Sequence, residues 1–99
     1  MDPSSAPVSL VTRNDAAGRY ELHVDGELVS IADFSTRSDA IVVPHVETRR
    51  DRRDNGYSHV LLAGVVDDLR ERSLQIVPLC PAARAYVAAL PDADDLITH

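Results

Sequence analysis

From Arg19 to Val24 the chain alternates: Tyr20, Leu22 and Val24 fall on one side, Arg19, Glu21 and His23 on the other. A period of two predicts a strand with one buried face. Asp25-Gly26 follows, a pair suited to the positive φ that both central positions of a type I′ hairpin turn require. The segment Glu27–Phe34 then returns as a second strand, and after the polar stretch "STRSD" the β-branched run Ala40–Thr48 forms a third. The simplest arrangement is a three-stranded antiparallel meander. Pro44 cannot donate to a ladder, so the third strand lies at an edge, is bulged or is locally unpaired there.

Beyond Thr48 the period changes. Gly56 to Arg72 reads as a helix with Val60, Leu61, Val65 and Leu69 on its apolar side and Asp67, Asp68, Arg70 and Glu71 at its polar end. "LQIVPLC", Leu74 to Cys80, is continuously apolar, as expected for a short buried strand. Cys80-Pro81 opens a second helix through Tyr86, since proline suits the first helical position, and Pro91 ends it. The predicted order is β-β-β-α-β-α, an α/β (α+β) sandwich with helices packed on a mixed sheet. Residues 1–7 read as a polar tail, and the 99 residues make one domain, with no internal repeat or linker.

Charge narrows the choice of partners. The net charge is −6; "RRDRR" (Arg49 to Arg53) contributes +3 of it, leaving −9 for the rest. So acidic a surface repels a polyanion, which argues against general binding of nucleic acid or an anionic membrane and leaves room for a small anion at one basic spot. All the basic residues are arginine, so lysine Schiff-base chemistry is excluded. One cysteine permits no intrachain disulfide and fits a reducing compartment, here read as the cytoplasm. No apolar run approaches the roughly 18 residues of a bilayer span. His23, His59 and His99 show no metal-ligand spacing with one another or with Cys80, so no metal is expected.

Three places can carry chemistry. Arg49 to Ser58 leads from a strand into a helix at Gly56, where free N–H groups and flanking arginines suit a phosphate; a solvated basic loop balancing Asp51 and Asp54 is the alternative. Cys80 ends a strand just before a helix, a setting that favours thiolate character, although a lone cysteine also serves as a small buried hydrophobe. Tyr86 can project back toward that strand end or simply pack, and His45, on the strand feeding the arginines, is more often structural as a lone strand histidine than functional.

With these residues in place, the sequence resembles the GNAT superfamily of N-acetyltransferases, and in particular its very small single-domain branch. The superfamily's acyl-CoA signature is Gln or Arg, two residues, Gly, one residue, then Gly or Ala; "RDNGYS" supplies Arg53, Gly56 and a small Ser58. "HVET" from His45 and "VPLCP" (Val77 to Pro81) followed by Tyr86 match the branch's other two elements, over about Arg19 to Leu96. The resemblance implies that backbone N–H groups of Asp54, Asn55, Gly56, Tyr57 and Ser58 hold the pyrophosphate of acetyl-CoA, with Arg52 or Arg53 near the phosphates. It implies an oxyanion-hole N–H near Val46, Cys80 as a nucleophile or catalytic thiol, Tyr86 as the acid for the departing thiolate, and His45 as a base for the acceptor amine or the thiol. Asp54 stands where the branch usually has glycine. The expected activity is acetyl transfer from acetyl-CoA to a small or protein amine, by a monomer or weak dimer. A CoA-binding or interaction domain that keeps the fold without catalysis is the second reading, and an α/β protein without a CoA site the third.

Overall fold

The computed structural model describes residues 8–97. Its order is β1 (Ser9–Asn14), β2 (Arg19–Val24), β3 (Glu27–Arg37), β4 (Ala40–Thr48), α1 (Tyr57–Glu71), β5 (Gln75–Pro78) and α2 (Pro81–Ala88). The five strands form one sheet in sequence order, antiparallel from β1 to β4 and parallel between β4 and β5. This is the expected mixed α/β architecture with one strand more than the sequence pattern predicts. The proposed tail, residues 1–7, lies outside the described residues.

The meander follows the alternation closely. Tyr20, Leu22 and Val24 are all buried, and Asp25 (φ 51°) and Gly26 (φ 84°) both take the left-handed conformation of the expected turn. β3 runs to Arg37, past Phe34, because the turn into β4 needs only Ser38 and Asp39. At Pro44 the ladder is irregular: two residues, Val43 and Pro44, stand opposite Phe34 alone between the pairs Asp33–His45 and Ser35–Val42. A β-bulge leaves its extra residue unpaired, so the proline removes no ladder bond there.

α1 lies across β1 to β4 and buries Leu61, Leu62, Val65, Val66 and Leu69. Val60, expected on its apolar side, is exposed instead, and Leu62 and Val66 take its place because the buried stripe is wider and rotated. The fifth strand is shorter than the apolar run: only Gln75–Pro78 pairs, and only Ile76 of it is fully buried. Pro78 ends it, and the other side of Ile76 is taken by a bridge to Ile97 and a bond from its N–H to the Leu96 carbonyl. The acidic C-terminal segment is docked as well: Arg70 bonds the carbonyl and carboxylate of Asp92, both at 3.2 Å, and Leu96 is buried.

One polar network ties the helix to the sheet. The Tyr20 hydroxyl donates to Asp68 of α1 at 2.6 Å, and Arg72 donates to the same carboxylate oxygen at 2.8 Å. Burial, reinforced by Asp68, pushes the Tyr20 phenol up to about 12. Partial burial raises the Asp68 carboxyl, but the bonds from Tyr20 and Arg72 outweigh it and hold the group below its ordinary range. The raised phenol contributes stability that is complete below pH 10 and declines as pH rises from 10 through about 12. The lowered carboxylate contributes stability above its unfolded value of 3.8, lost as pH falls through its lower folded value. Tyr20→Phe removes the hydrogen bond without a cavity and is expected to cost about 1.5 kcal/mol at pH 7. Urea titrations at pH 7 and near pH 12 check this, because the difference between Tyr20→Phe and the parent should shrink at the higher pH.

Candidate functional site

The sheet forks between β4 and β5. The two strands pair in parallel only from Ala40–Gln75 to Val43–Pro78. At the base of the fork the Val43 carbonyl accepts the N–H groups of Leu79, at 3.0 Å, and Cys80, at 3.2 Å. Beyond it, β4 from His45 to Thr48 pairs with β3 alone. Arg49 donates to the Val29 carbonyl at 2.8 Å, which fixes the alternation of that ladder: His45 and Glu47 bond toward β3. The backbone N–H groups of Val46 and Thr48 therefore point into the fork.

The loop after β4 stands at the mouth of this fork. A single 3₁₀ turn, Arg50–Arg52, is followed by Asp54 and Gly56 with φ of +69° and +73°, and α1 begins at Tyr57. The Asn55 amide bonds the carbonyls of Arg52 and Arg53 at 3.0 and 3.2 Å, which folds the loop over itself. Among the described residues, the N–H groups of Asp54, Asn55, Gly56, Tyr57 and Ser58 donate to no protein acceptor, and the first turn of α1 has no acidic residue. Such a run of amides at a helix start suits an anion. Asp and Gly are residue types that tolerate positive φ, which is why Asp54 and Gly56 can take it here.

The arginines divide into two pairs. Arg52 is ion-paired with Glu27 at the start of β3, and Arg49 lies 3.3 Å from the same carboxylate and 3.0 Å from Asp51. Arg52, expected near a phosphate, is thus turned toward the β2–β3 turn. Arg50 and Arg53 have no carboxylate partner among the described residues; Arg53 reaches back to the Thr48 carbonyl at 3.4 Å.

Cys80 caps α2 at the base of the fork and is buried in the core cluster with Ala83 and Val87. Tyr86 is half-buried, its ring 5.6 Å from His59 of α1 in an edge-to-face contact that joins the first turn of α1 to α2. His45 is separated from both. It lies on the opposite face of β4 from Val46, which packs against the core, and its exposed ring sits 3.6 Å from Glu47. The fork therefore has Val46 along β4, Cys80 at its base and the Asp54–Ser58 loop at its mouth; Tyr86 packs on His59 in the first turn of α1, and His45 faces the side of the sheet that bears no helix. The role of the Val43 carbonyl and the His59–Tyr86 contact carry no sequence signal, since both join residues distant along the chain. Two surface hollows lie elsewhere: about 470 Å³ beside Arg70 and Gln75, and about 300 Å³ over Leu28 and Ile31. Neither is lined by the fork residues. A fork is open along its length, and concavity alone does not mark it.

Among the described residues no three His, Cys, Asp or Glu side chains are placed to hold a metal ion, and no helix is long and apolar enough to cross a membrane. The sequence matches the family model described as GCN5-related N-acetyl-transferase over residues 19–96. No curated protein matches it significantly. Solved structures share the fold. The ribosomal-protein-S18-alanine N-acetyltransferase of Escherichia coli superposes with a TM-score of 0.63 at 18% identity, covering 80% of this chain and 54% of that one. The ribosomal-protein-alanine N-acetyltransferase of Brucella melitensis biovar Abortus 2308 gives 0.62 at 25% identity, covering 77% and 62%. The N-acetylglutamate synthase of Neisseria gonorrhoeae, complexed with coenzyme A and N-acetyl-glutamate, gives 0.57 at 19% identity, covering 88% and 25%. The chain thus corresponds to about half the length of the first of these structures.

Proposed function

The chain belongs to the GCN5-related N-acetyltransferase family, and from that premise we propose that it transfers an acetyl group from acetyl-CoA to an amine, as a single minimal domain. The observation that carries this reading is the run of N–H groups from Asp54 to Ser58, unpaired among the described residues, at the mouth of the β4–β5 fork. Those groups would hold the pyrophosphate, with Arg53 supplying charge. The Val46 N–H, which points into the fork, would stabilise negative charge developing on the acetyl oxygen. Acetyl-CoA supplies the activated acyl group: an N–C bond forms, the C–S bond breaks, the amine gives up one proton and the departing sulfur gains one. Tyr86 is the residue proposed to deliver that proton, and Cys80 to act as a thiol at the base of the fork. His45 is separated from both and serves only an acceptor amine arriving from the helix-free face.

The acceptor is proposed to be a small or protein amine, in keeping with the alanine and glutamate named for the structural relatives. The Asp54 carboxylate, exposed within the proposed cradle, favours a second reading in which CoA is bound without turnover. Thiol release from acetyl-CoA over a panel of amines, with intact-mass analysis of the protein, separates the two. Release that falls in Tyr86→Phe supports transfer; binding with neither thiol release nor acetylated Cys80 establishes the second reading. Arg53→Ala is expected to weaken acetyl-CoA roughly five- to tenfold, the cost of one exposed charge-assisted contact. Calorimetry with CoA and with dephosphorylated analogues checks this, and equal loss for every ligand would assign Arg53 to stability.

A further inference from the structure

The two edges of the sheet are finished differently. On the β5 side, Pro78 ends the strand and Leu96 and Ile97 occupy its outer edge. On the β1 side, nothing among the described residues pairs with the outer edge. β1 is unbulged, contains no proline, and pairs in unbroken register with β2 from Ser9–Val24 to Asn14–Arg19. Its beginning is pinned: Asp25 donates its N–H to the Val8 carbonyl at 2.8 Å, and the Val8 N–H donates to the Asp25 carboxylate at 2.9 Å. Val8 and Leu10 are the most exposed large hydrophobic residues described, at 66% and 59%. A straight edge strand whose outward N–H and C=O groups are unpaired, with exposed apolar side chains beside them, pairs with other strands unless something blunts it.

The ladder specifies what fits. The Val8–Asp25 bond sets the alternation, so Leu10, Thr12 and Asn14 bond inward to β2. The N–H and C=O groups of Ser9, Val11 and Arg13 therefore point outward. An antiparallel strand of the same sequence, related by a two-fold axis at Val11, presents the same three residues in matching phase. Ser9 then meets Arg13, Val11 meets Val11, and every outward group finds a partner. On the helix-free face, Leu10 lies beside Thr12 of the other copy. Arg13 is the one charge on this edge, and inward-pointing charges commonly protect edges. Here it is neutralised by Asp15 at 2.8 Å and lies over the Phe34 ring at 4.6 Å, so it does not confront the second copy as a bare charge. We propose that β1 is a homodimerisation edge, pairing antiparallel with β1 of a second copy into one continuous sheet, with both forks facing away from the interface.

Sedimentation velocity and amide hydrogen exchange on the full chain test this. The mass is expected to rise from 10.8 kDa toward twice that value between about 5 µM and 500 µM. Exchange at Ser9, Val11 and Arg13 should slow at least about tenfold at the upper concentration, while Leu10 and Thr12, already bonded to β2, stay unchanged. Ser9→Pro removes an outward N–H at the start of the strand without breaking the β1–β2 ladder, and should weaken the dimer at least about tenfold. A chain that is monomeric throughout would overturn the proposal. So would a dimer in which those three amides exchange no more slowly, or one that folded Ser9→Pro forms as readily. Should Ser9→Pro not fold, the exchange pattern of the parent decides alone.

Discussion

Gly64→Ala is expected to lower the thermal midpoint by about 10 °C, although alanine is the better helix former by about 1 kcal/mol. The reason is steric. A Cβ on Gly64 would stand 2.6 Å from Cβ and Cγ2 of Val11 and 2.7 Å from Cγ1. Val11 is β-branched and fixed in a strand, so it has no free rotation with which to yield. α1 must then rise from the sheet, loosening Leu61, Val65 and Leu69 on β2 and β3, and overpacking of this kind typically costs 1–3 kcal/mol, here placed at or above the upper end. The net loss is about 2 kcal/mol. Differential scanning calorimetry measures it, and Val11→Ala should recover part of it, since two of the three contacting atoms disappear. An unchanged midpoint in Gly64→Ala would mean that α1 and β1 pack less closely than described.

Ser58→Asp should separate binding from stability with opposite signs. The first turn of α1 has no acidic residue, and a carboxylate there interacts favourably with the free N–H groups and the helix dipole by about 0.3–1 kcal/mol. The thermal midpoint is therefore expected to rise slightly. The same carboxylate would occupy the anion cradle and repel a pyrophosphate; at about 4 Å and an effective dielectric of 20 the repulsion reaches roughly 4 kcal/mol before screening, so a loss of about 100-fold in acetyl-CoA affinity is expected. Asp54→Gly should act in the other direction, removing a charge and relieving a non-glycine residue at φ +69°. Calorimetric titration alongside thermal melts reads both effects. A Ser58→Asp protein that is more stable and binds acetyl-CoA undiminished would remove the loop from the site.

The sequence pattern reveals the parts of the fold in which local chemistry and burial agree. Tyr20, Leu22 and Val24 alternate, Asp25-Gly26 turns, and the meander follows from both. β1 is hidden because its pattern is inverted: Leu10 faces solvent and Arg13 folds inward over Phe34, so neither period nor polarity announces an edge strand. Val60 misleads for a related reason, since apolar character cannot distinguish the flank of a wide helix stripe from its centre. In the site, the spacing of Arg53, Gly56 and Ser58 correctly marks the start of α1. The diversion of Arg52 to Glu27 is invisible, because the partner lies on another strand and only the folded chain brings the two together.

The Asp54–Ser58 amides at the mouth of the β4–β5 fork are proposed to receive acetyl-CoA. Two-dimensional ¹H–¹⁵N NMR during titration with acetyl-CoA tests it residue by residue. The largest shifts are expected at the amides of Asp54 to Ser58, with further shifts at Val46 and Cys80 and little change at Leu28 and Ile31. An unperturbed spectrum at millimolar acetyl-CoA, or shifts confined to the hollow over Leu28 and Ile31 or the one beside Arg70, would contradict it.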